Sequence, residues 1–407
     1  MWSWSFLPGP FNPSGNVRLA TALLLGLACL ASAQEPGRWR MQYFYDKEHA
    51  TFVISDLKFP SVKRGIAVGA IFEGRSVKPM SALTSDGGAH WSLAPLSEPG
   101  QSLFFLNDSL GWLVTTKGLW RTEESGRSWR KLKAPAGLAR VHFVDPDHGW
   151  AVGARKLIYE SKNGGADWVK VSAAEKVESN PEYTRFVWIE FVNKDVGMIG
   201  GWSRPPRHLG QQFPDWMDPQ EAASRREWPH LAIELETHDG GKNWSPSTSS
   251  IFGRISAARF SPQGWGLGLI EFSDTFEWPS EVFFWDWKTG RQKRIYRVKD
   301  RKVTDMAIAS PDGPIYFGAV EHFGELQQLP IPGKVKIIRS DNGIKWTEME
   351  VDYHAVARRV ILSAAGPNDI WAATDTGMIL KLTPPTRSRL LTLSIAFLQH
   401  FLILSFG

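Results

Sequence analysis

Residues 84–91 read TSDGGAHW and residues 237–244 read THDGGKNW, so one eight-residue pattern occurs twice almost unchanged. Residues 161–168, SKNGGADW, form a third copy in which Asn163 replaces the aspartate. Weaker copies occupy residues 122–129 and 340–346. Repetition of one pattern along a chain indicates a repeat architecture, and this repeat decides the fold.

The spacing of the copies predicts the size of the repeating unit. Trp91, Trp129 and Trp168 are 38 and 39 residues apart, which matches one four-stranded blade of a β-propeller. The next gap, to Trp244, is 76 residues, and we interpret it as one blade with an insertion at residues 203–228. The gap from Trp244 to Trp346 is 102 residues and accommodates two blades, with a degenerate copy, FFWDWKTG, at residues 283–290.

A second phrase, Gly-Trp or a close variant followed by small apolar residues, starts at Gly111, Gly149, Gly197 and Asp369. Each copy is typical of a buried inner strand, with small residues where strands crowd at a propeller axis. Together the two phrases predict an all-β, seven-bladed propeller of four-stranded antiparallel blades. The last blade lacks an outer strand, and the strand-like residues 39–45 are expected to supply it and close the ring. The predicted blades span residues 50–97, 98–136, 137–176, 184–250, 254–298, 302–352 and 355–383.

The repeated pattern has a structural rather than a catalytic chemistry. Its hydroxyl and carboxylate accept hydrogen bonds from the backbone of a tight hairpin, glycine supplies a positive φ, and tryptophan packs between sheets. We predict that Trp91, Trp168 and Trp244 are core residues. The residues assigned to this structural role are Asp86, Gly88, Trp91, Trp129, Asn163, Gly165, Trp168, Asp239, Gly241, Trp244, Asp341, Gly343 and Trp346.

The N-terminus resembles an export signal, because Arg18 precedes an apolar run that ends in the small residues 31–33. We predict cleavage before Gln34, a propeller domain over residues 34–383, and a periplasmic or extracellular location. Acylation of Cys29, the only cysteine, is the alternative. The apolar tail, residues 384–407, lies outside the predicted fold, and a membrane anchor, a partner-binding helix and an aberrant reading frame all remain open for it.

Composition excludes several function classes. The net charge of +5 in 407 residues gives no overall basis for nucleic-acid binding. A mature chain without cysteine has neither a disulfide nor a thiolate metal site. No phosphate-binding glycine loop, zinc-binding helix motif or serine nucleophile elbow is present, so we expect no metal and no cofactor. We expect a monomer.

The cadence of the two phrases resembles a known family. Residues 105–112 lead into residues 122–129, and residues 143–150 lead into residues 161–168, as Phe-x-Asn/Asp-x-x-x-Gly-Trp followed by the aspartate pattern. The pattern alone resembles the Asp-box, or BNR, repeats of sialidases and xyloglucanases. The full cadence resembles the photosystem II assembly and stability factor family and its relatives in non-photosynthetic bacteria. That resemblance implies a non-enzymatic scaffold that binds a protein partner.

Two segments are candidates for partner binding. The first is the basic run over residues 288–302, which suits an acidic partner or, alternatively, is a solvated outer strand protected from edge pairing. The second is the insertion, which serves either as a binding loop or as a decoration. The candidate residues are Arg204, Arg207, Arg225, Arg226, Lys288, Arg291, Lys293, Arg294 and Arg297.

A glycoside hydrolase on the same fold is the alternative function. That chemistry requires two carboxylates flanking a sugar site. Residues 271–281 hold an acidic stretch, although nothing in the sequence marks two of its members as a pair: Glu271, Asp274, Glu277 and Glu281.

Overall fold

The computed structural model describes residues 37–204, 216–225, 227–273, 276–322 and 331–383. The predicted signal segment with Cys29, the apolar tail, Arg207, Arg226 and Asp274 lie outside the described residues. Within those residues, no helix is long and apolar enough to cross a membrane. Arg38–Thr383 forms one compact unit.

The structure is almost entirely β. An N-terminal strand, β1 (Arg38–Phe44), precedes groups of strands that we call blades, most of which have four strands. Blade 1 contains β2 (Ala50–Lys58), β3 (Gly65–Glu73), β4 (Ser76–Thr84) and β5 (Ser92–Pro95). Blade 2 contains β6 (Gly100–Phe105), β7 (Gly111–Thr115), β8 (Gly118–Thr122) and β9 (Arg130–Leu132). Blade 3 contains β10 (Leu138–Phe143), β11 (His148–Gly153), β12 (Ile158–Lys162) and β13 (Val169–Lys170).

Blade 4 contains β14 (Thr184–Phe191), β15 (Gly197–Ser203), β16 (Pro229–Thr237) and β17 (Ser245–Phe252). Blade 5 contains β18 (Arg254–Ser261), β19 (Trp265–Glu271), β20 (Ser280–Asp286) and β21 (Arg291–Tyr296). Blade 6 contains β22 (Arg301–Ile308), β23 (Ile315–Glu321), β24 (Gly333–Ser340) and β25 (Thr347–Val351), with the short β26 (Val356–Ala357) beside β24. Blade 7 contains β27 (Val360–Ala364), β28 (Ile370–Thr374) and β29 (Met378–Thr383). The helical segments are α1 (Pro219–Arg225) and two 3₁₀ turns, Ser172–Lys176 and Pro181–Tyr183.

Pairing within each blade is antiparallel and follows chain order. Blades 1 to 5 are separate four-stranded sheets, whereas blades 6 and 7 belong to one nine-stranded sheet. In that sheet the order β22-β23-β24-β25 continues into β1-β29-β28-β27. Division of this sheet at the contact between β25 and β1 yields seven blades, and the count of seven stays a prediction because the pairing itself joins the two halves.

The N-terminal strand takes the outer position of blade 7, as the sequence predicted. β1 pairs antiparallel with β29 from Arg38 opposite Thr383 to Phe44 opposite Met378. It also pairs in parallel with β25 of blade 6 through Arg38 and Trp39. The first strand of the domain therefore covers the edge that the last strand would otherwise leave open.

Aromatic stacking explains the recurring Phe-x-x-x-x-x-Gly-Trp phrase. Phe143 of blade 3 stacks on Trp112 of blade 2, with ring centroids 3.7 Å apart. Gly149 makes room for this ring, because a Cβ there would lie 2.4 Å from Phe143. Phe59 stacks in the same way on Trp371, at 3.6 Å, between blades 1 and 7. The phrase thus encodes an inter-blade contact rather than a strand alone.

The aspartate pattern forms the predicted hairpin between the third and fourth strands. In blade 4, the Thr237 hydroxyl accepts a hydrogen bond from the N–H of Gly241 at 2.9 Å and donates one to Asp239 at 3.0 Å. Ser161 and Asn163 repeat this network around Gly165 in blade 3. In the fifth copy, Asn342 rather than Asp341 accepts from Ser340 and the following backbone, so our alignment of that copy was wrong by one residue. Asp341 instead forms an ion pair with Arg339.

The prediction of core tryptophans needs a correction. Trp244 is buried, with 6% of its surface exposed, but Trp91 and Trp168 are only half-buried. Each packs by its edge against the phenylalanine of its own blade, as Trp168 does against Phe143 at 6.1 Å. Among the described residues, Trp39 on β1 is fully buried, and so are three indoles on the second strands of their blades: Trp112, Trp150 and Trp371.

Candidate partner-binding site on the propeller axis

A cavity of about 630 Å³ is lined by residues of the first strands of the blades: β2, β6, β10, β14, β18, β22 and β27. Six of these strands carry a β-bulge, which appears as a shift in the pairing register with the second strand. The residue that follows each bulge lines the cavity. These six residues are Asp56, Ser102, Arg140, Trp188, Ala257 and Asp305.

The two aspartates of this ring are occupied by the backbone. Asp56 accepts hydrogen bonds from the N–H groups of Leu57 and, in blade 2, Leu103, at 2.9 and 2.8 Å. Asp305 accepts in the same way from Met306 and, in blade 7, Leu362. Burial raises the pKa of Asp56, but Lys58, Arg140 and the Leu103 N–H outweigh it and hold that pKa below its usual value. Both carboxylates therefore join neighbouring blades.

Arg259 is also neutralised within the cavity. Its guanidinium contacts Glu190 of blade 4 and Asp305 of blade 6, each at 3.1 Å. Burial by itself lowers the pKa of Arg259, but the two carboxylates raise it overall. Arg259 thus links three blades and has little charge to offer a ligand.

Arg140 and Arg359 differ from Arg259, because neither has a carboxylate ion-pair partner among the described residues. The Arg140 side chain donates to the carbonyl of the adjacent Ala139 at 3.0 Å. Burial lowers the pKa of Arg140, and the nearby Arg359 and Arg259 guanidiniums add to this effect against the attraction of Asp56. An incoming carboxylate would relieve this repulsion and form charge-assisted hydrogen bonds. The cavity is therefore suited to an anionic group.

His142 adds a neutral polar group to the same wall. Its ring lies 4.7 Å from Phe104 and 5.4 Å from Phe191, between blades 2 and 4. Burial lowers the pKa of His142 despite the nearby Glu190. The imidazole is consequently uncharged at neutral pH and presents a hydrogen-bonding edge beside two aromatic rings.

The basic run lies elsewhere, on the outer strand of blade 5. Arg291, Lys293 and Arg294 are exposed on β21 and form no ion pair within the described part of the chain. Arg297 pairs with Glu281 at 3.2 Å, and its guanidinium lies 4.5 Å from the Trp278 ring. Lys288 lies over the ring of Trp287. This placement agrees with a charged edge strand, and its use in binding stays a prediction.

The described part of the insertion packs against the propeller. Met217 and Ala222 are buried, and Trp216 packs against the core between blades 3 and 4. Glu227 is buried and accepts a hydrogen bond from the Ser273 hydroxyl. Arg204 directly follows β15, and its N–H bonds to the carbonyl of Tyr183. Arg225 is the last residue of α1.

Each of the three described glutamates of the acidic stretch forms an ion pair. Glu271 pairs with Arg254 at 2.9 Å, Glu281 pairs with Arg297, and Glu277 pairs with Lys299. The three glutamates therefore belong to three separate ion pairs, whereas a glycosidase requires two carboxylates that flank the sugar. Among the described residues, no group of histidine and acidic side chains is arranged to hold a metal ion.

Glu271 lines the axial cavity and belongs to the acidic stretch, and it is the one axial residue among the described residues that was a candidate from sequence. A usable signal existed, since Arg140 lies three residues before the phenylalanine of its phrase and Arg259 lies one residue before Phe260. Counting back from each phenylalanine would have assigned the axial positions of blades 1 to 5.

Comparisons with known proteins agree with the fold. The sequence model described as photosynthesis system II assembly factor YCF48 matches residues 131–205. The photosystem II assembly lipoprotein Ycf48 of Synechococcus sp. (strain CC9902) is 29% identical over 215 residues, which are 48% of this chain and 60% of the relative. The photosystem II assembly protein Ycf48 of Thermosynechococcus vestitus is 23% identical over 307 residues, 67% of this chain and 79% of the relative.

Solved structures show the same architecture. A structure titled YCF48 bound to D1 peptide superposes with a TM-score of 0.56 at 14% identity, covering 86% of this chain and 96% of that one. The GH74 xyloglucanase of Xanthomonas campestris superposes with a TM-score of 0.58 at 13% identity, covering 85% of this chain and 53% of the enzyme. Identities this low show the fold alone. The chain is an Asp-box β-propeller that resembles the photosystem II assembly factor Ycf48.

Proposed function

We propose that this chain is an exported, non-enzymatic scaffold that binds a segment of a protein partner in the axial cavity. One observation carries the proposal: Arg140 and Arg359 face a cavity of about 630 Å³ without carboxylate partners among the described residues. This volume lies within the usual range of about 300 to 1,000 Å³ for ligand sites. The relatives named as assembly factors support a scaffold, and the structure titled as a D1 peptide complex supports a polypeptide ligand for that protein.

The chemistry of the cavity indicates what the segment carries. Two guanidiniums without ion pairs favour a carboxylate, and bidentate contacts would orient it. His142 and Phe104 on the adjoining wall favour a side chain with both polar and apolar surface. The partner segment is therefore expected to be short and acidic.

Capture of the partner from native envelope extract tests the proposal. Arg140→Gln with Arg359→Gln should reduce capture about tenfold or more, since hydrogen bonds to charged groups contribute about 1.5 to 3 kcal/mol. Added salt should weaken capture by the wild type. Thermal unfolding of the variant should match that of the wild type. Undiminished capture by a folded double variant would contradict the axial site.

Strand β21 supplies a matched control in which the same number of positive charges is removed. Arg291→Gln with Arg294→Gln removes two exposed cations from β21 and leaves the axis intact. If this variant, rather than the axial one, loses capture, the partner binds the outer surface of blade 5. A screen of glycoside substrates on the same preparation tests the enzymatic alternative, which turnover dependent on Glu271, Glu277 or Glu281 would support.

Export with cleavage before Gln34 belongs to the same proposal. Two of the relatives are named lipoproteins, which supports acylation of Cys29 as the alternative mode of export. Mass spectrometry of the mature N-terminus distinguishes the two outcomes, because an acylated chain begins at Cys29 and carries the added lipid mass.

A further inference from the structure

The contact between blades 1 and 2 lacks the tryptophan ring that is found at the contacts of blades 2, 3 and 7 with the next blade. At the start of the second strand, blades 2, 3 and 7 each place a buried tryptophan: Trp112, Trp150 and Trp371. Blade 1 places Ile66 there, directly after Gly65. The equivalence is geometric, because a Cβ on Gly126 of blade 2 would meet Ile66 just as a Cβ on Gly88 of blade 1 would meet Trp371.

The missing indole leaves space. A cleft of about 160 Å³ lies between blades 1 and 2, and Ile66, Leu83 and Phe105 form its apolar side. An apolar cavity of about 150 Å³ is large enough for benzene. Three other blades also lack the tryptophan, but each has an aromatic ring at or beside the position. Blade 6 places Tyr316 there. The rings of Trp188 and Trp285 pack beside Met198 of blade 4, and the ring of Trp346 stacks on Phe317 in the cluster that contains Leu267 of blade 5.

The hydrogen-bond acceptor of the missing indole is also still present. Trp371 and Trp112 donate their indole N–H to the carbonyls of Gly87 and Gly164, the first glycines of the neighbouring aspartate patterns. Ser125 holds this position in blade 2, in a left-handed conformation with φ +59°. Within the described residues, no donor reaches the Ser125 carbonyl, and its hydroxyl instead accepts from Arg64 at 3.1 Å.

The mouth of the cleft carries two cations. Arg64 lies 3.9 Å from Asp108, its only ion-pair partner among the described residues. Arg127 is exposed and forms no ion pair within them. Two guanidiniums against one carboxylate favour an anionic group beside the apolar floor.

We propose that the cleft between blades 1 and 2 binds an aromatic side chain, preferably indole, that has a carboxylate next to it. The bound ring takes the place that tryptophan fills at the equivalent contacts. The cleft adjoins the axial cavity, because Pro60 and Phe105 line both. The inference therefore deepens the proposed function by naming an aromatic anchor for the same acidic partner segment.

A titration of the full-length protein with indole-3-acetate, monitored by ligand-observed NMR, tests the cleft in the absence of the partner. We expect saturable binding by the wild type and weaker binding of the cationic analogue tryptamine. Ile66→Trp supplies the missing ring from within and should reduce the affinity for indole-3-acetate at least tenfold. Ile66→Leu, which keeps the side-chain volume, should bind as the wild type does.

A second variant tests the cleft in case the Ile66→Trp protein does not fold. Arg64→Gln with Arg127→Gln leaves the floor intact and should weaken indole-3-acetate more than tryptamine. Absence of saturable binding by the wild type, or equal binding by the folded Ile66→Trp variant, would overturn the inference. Because the probe needs only the cleft, failure of the axial variants to alter partner capture would contradict the proposed function and leave this result intact.

Discussion

The indole N–H of Trp371 donates a hydrogen bond to the carbonyl of Gly87 across 284 positions of sequence, at 3.1 Å. Trp112 makes the same bond to Gly164, at 3.0 Å, between blades that are consecutive in the chain. Blades 7 and 1 therefore meet through the contact that joins blades 2 and 3. The first and last blades are neighbours, and the pairing of β1 with β29 reinforces the junction.

Replacement of Trp371 by alanine should lower the free energy of unfolding by about 3 to 5 kcal/mol, the usual cost of removing a large buried ring. The matched change Trp91→Ala should cost less, because Trp91 is half-buried and Trp371 is fully buried. Denaturant unfolding of both variants measures the difference. If Trp91→Ala lowers the free energy of unfolding as much or more, the tryptophan of the aspartate pattern contributes most to the junction between blades 7 and 1.

Removal of the N-terminal strand should destabilise the domain more than removal of the tail. A chain that begins at Asp46 lacks β1 and leaves the edges of β25 and β29 unpaired, which favours aggregation. A chain that ends at Thr383 keeps every described strand and should unfold at the wild-type temperature. Thermal unfolding and light scattering of the two chains provide the comparison. Loss of the folded state on removal of residues 384–407 alone would show that the tail stabilises the propeller.

Glu234 should make stability depend on pH. Burial, with a smaller contribution from Glu236, raises the pKa of Glu234 from 4.5 to about 7. A raised pKa means that its contribution to stability is fully present below pH 4.5 and is lost as the pH rises through 7. Glu234→Gln should remove this dependence and stabilise the protein at pH 8 by about 1 to 3 kcal/mol, because one pKa unit corresponds to about 1.4 kcal/mol. A variant with an unchanged pH profile would assign the dependence to other groups.

The hydroxyl of the aspartate pattern should matter more than the charge of its carboxylate. Thr237→Val leaves the N–H of Gly241 without its acceptor and should cost about 1 to 3 kcal/mol. Asp239→Asn should cost less than about 1 kcal/mol, since Asn163 occupies this position in blade 3 and its Oδ1 accepts the equivalent two hydrogen bonds. The Asn243 amide, which donates to Asp239 Oδ2, has to turn its oxygen toward the new amide. Urea unfolding of the two variants ranks them. A larger loss for Asp239→Asn would show that the negative charge itself stabilises the hairpin.

Sequence determined those features whose chemistry is local. The hairpin network of Thr237, Asp239 and Gly241 lies within five consecutive residues, so its copies were visible as a pattern. The spacing of the copies predicted the blades, and the missing outer strand of blade 7 predicted the role of β1. The prediction that Asp341 is the acceptor of the fifth copy was wrong. Asn342 beside it has an equivalent acceptor oxygen, and the sequence does not show which of the two side chains faces the N–H groups of the hairpin.

Tertiary structure alone decided where a ligand can bind. The axial cavity is lined by residues from the seven first strands, one in each blade, and no single strand carries a recognisable motif for it. Whether Arg140 or Arg259 keeps its charge available depends on carboxylates from other blades. Ile66 likewise resembles any buried apolar residue in the sequence. Only the structure shows that it occupies the position that Trp112 and Trp371 take in their blades. Hairpins are stabilised by near neighbours in the chain, whereas the axis and the clefts are assembled from residues that only the closed ring brings together.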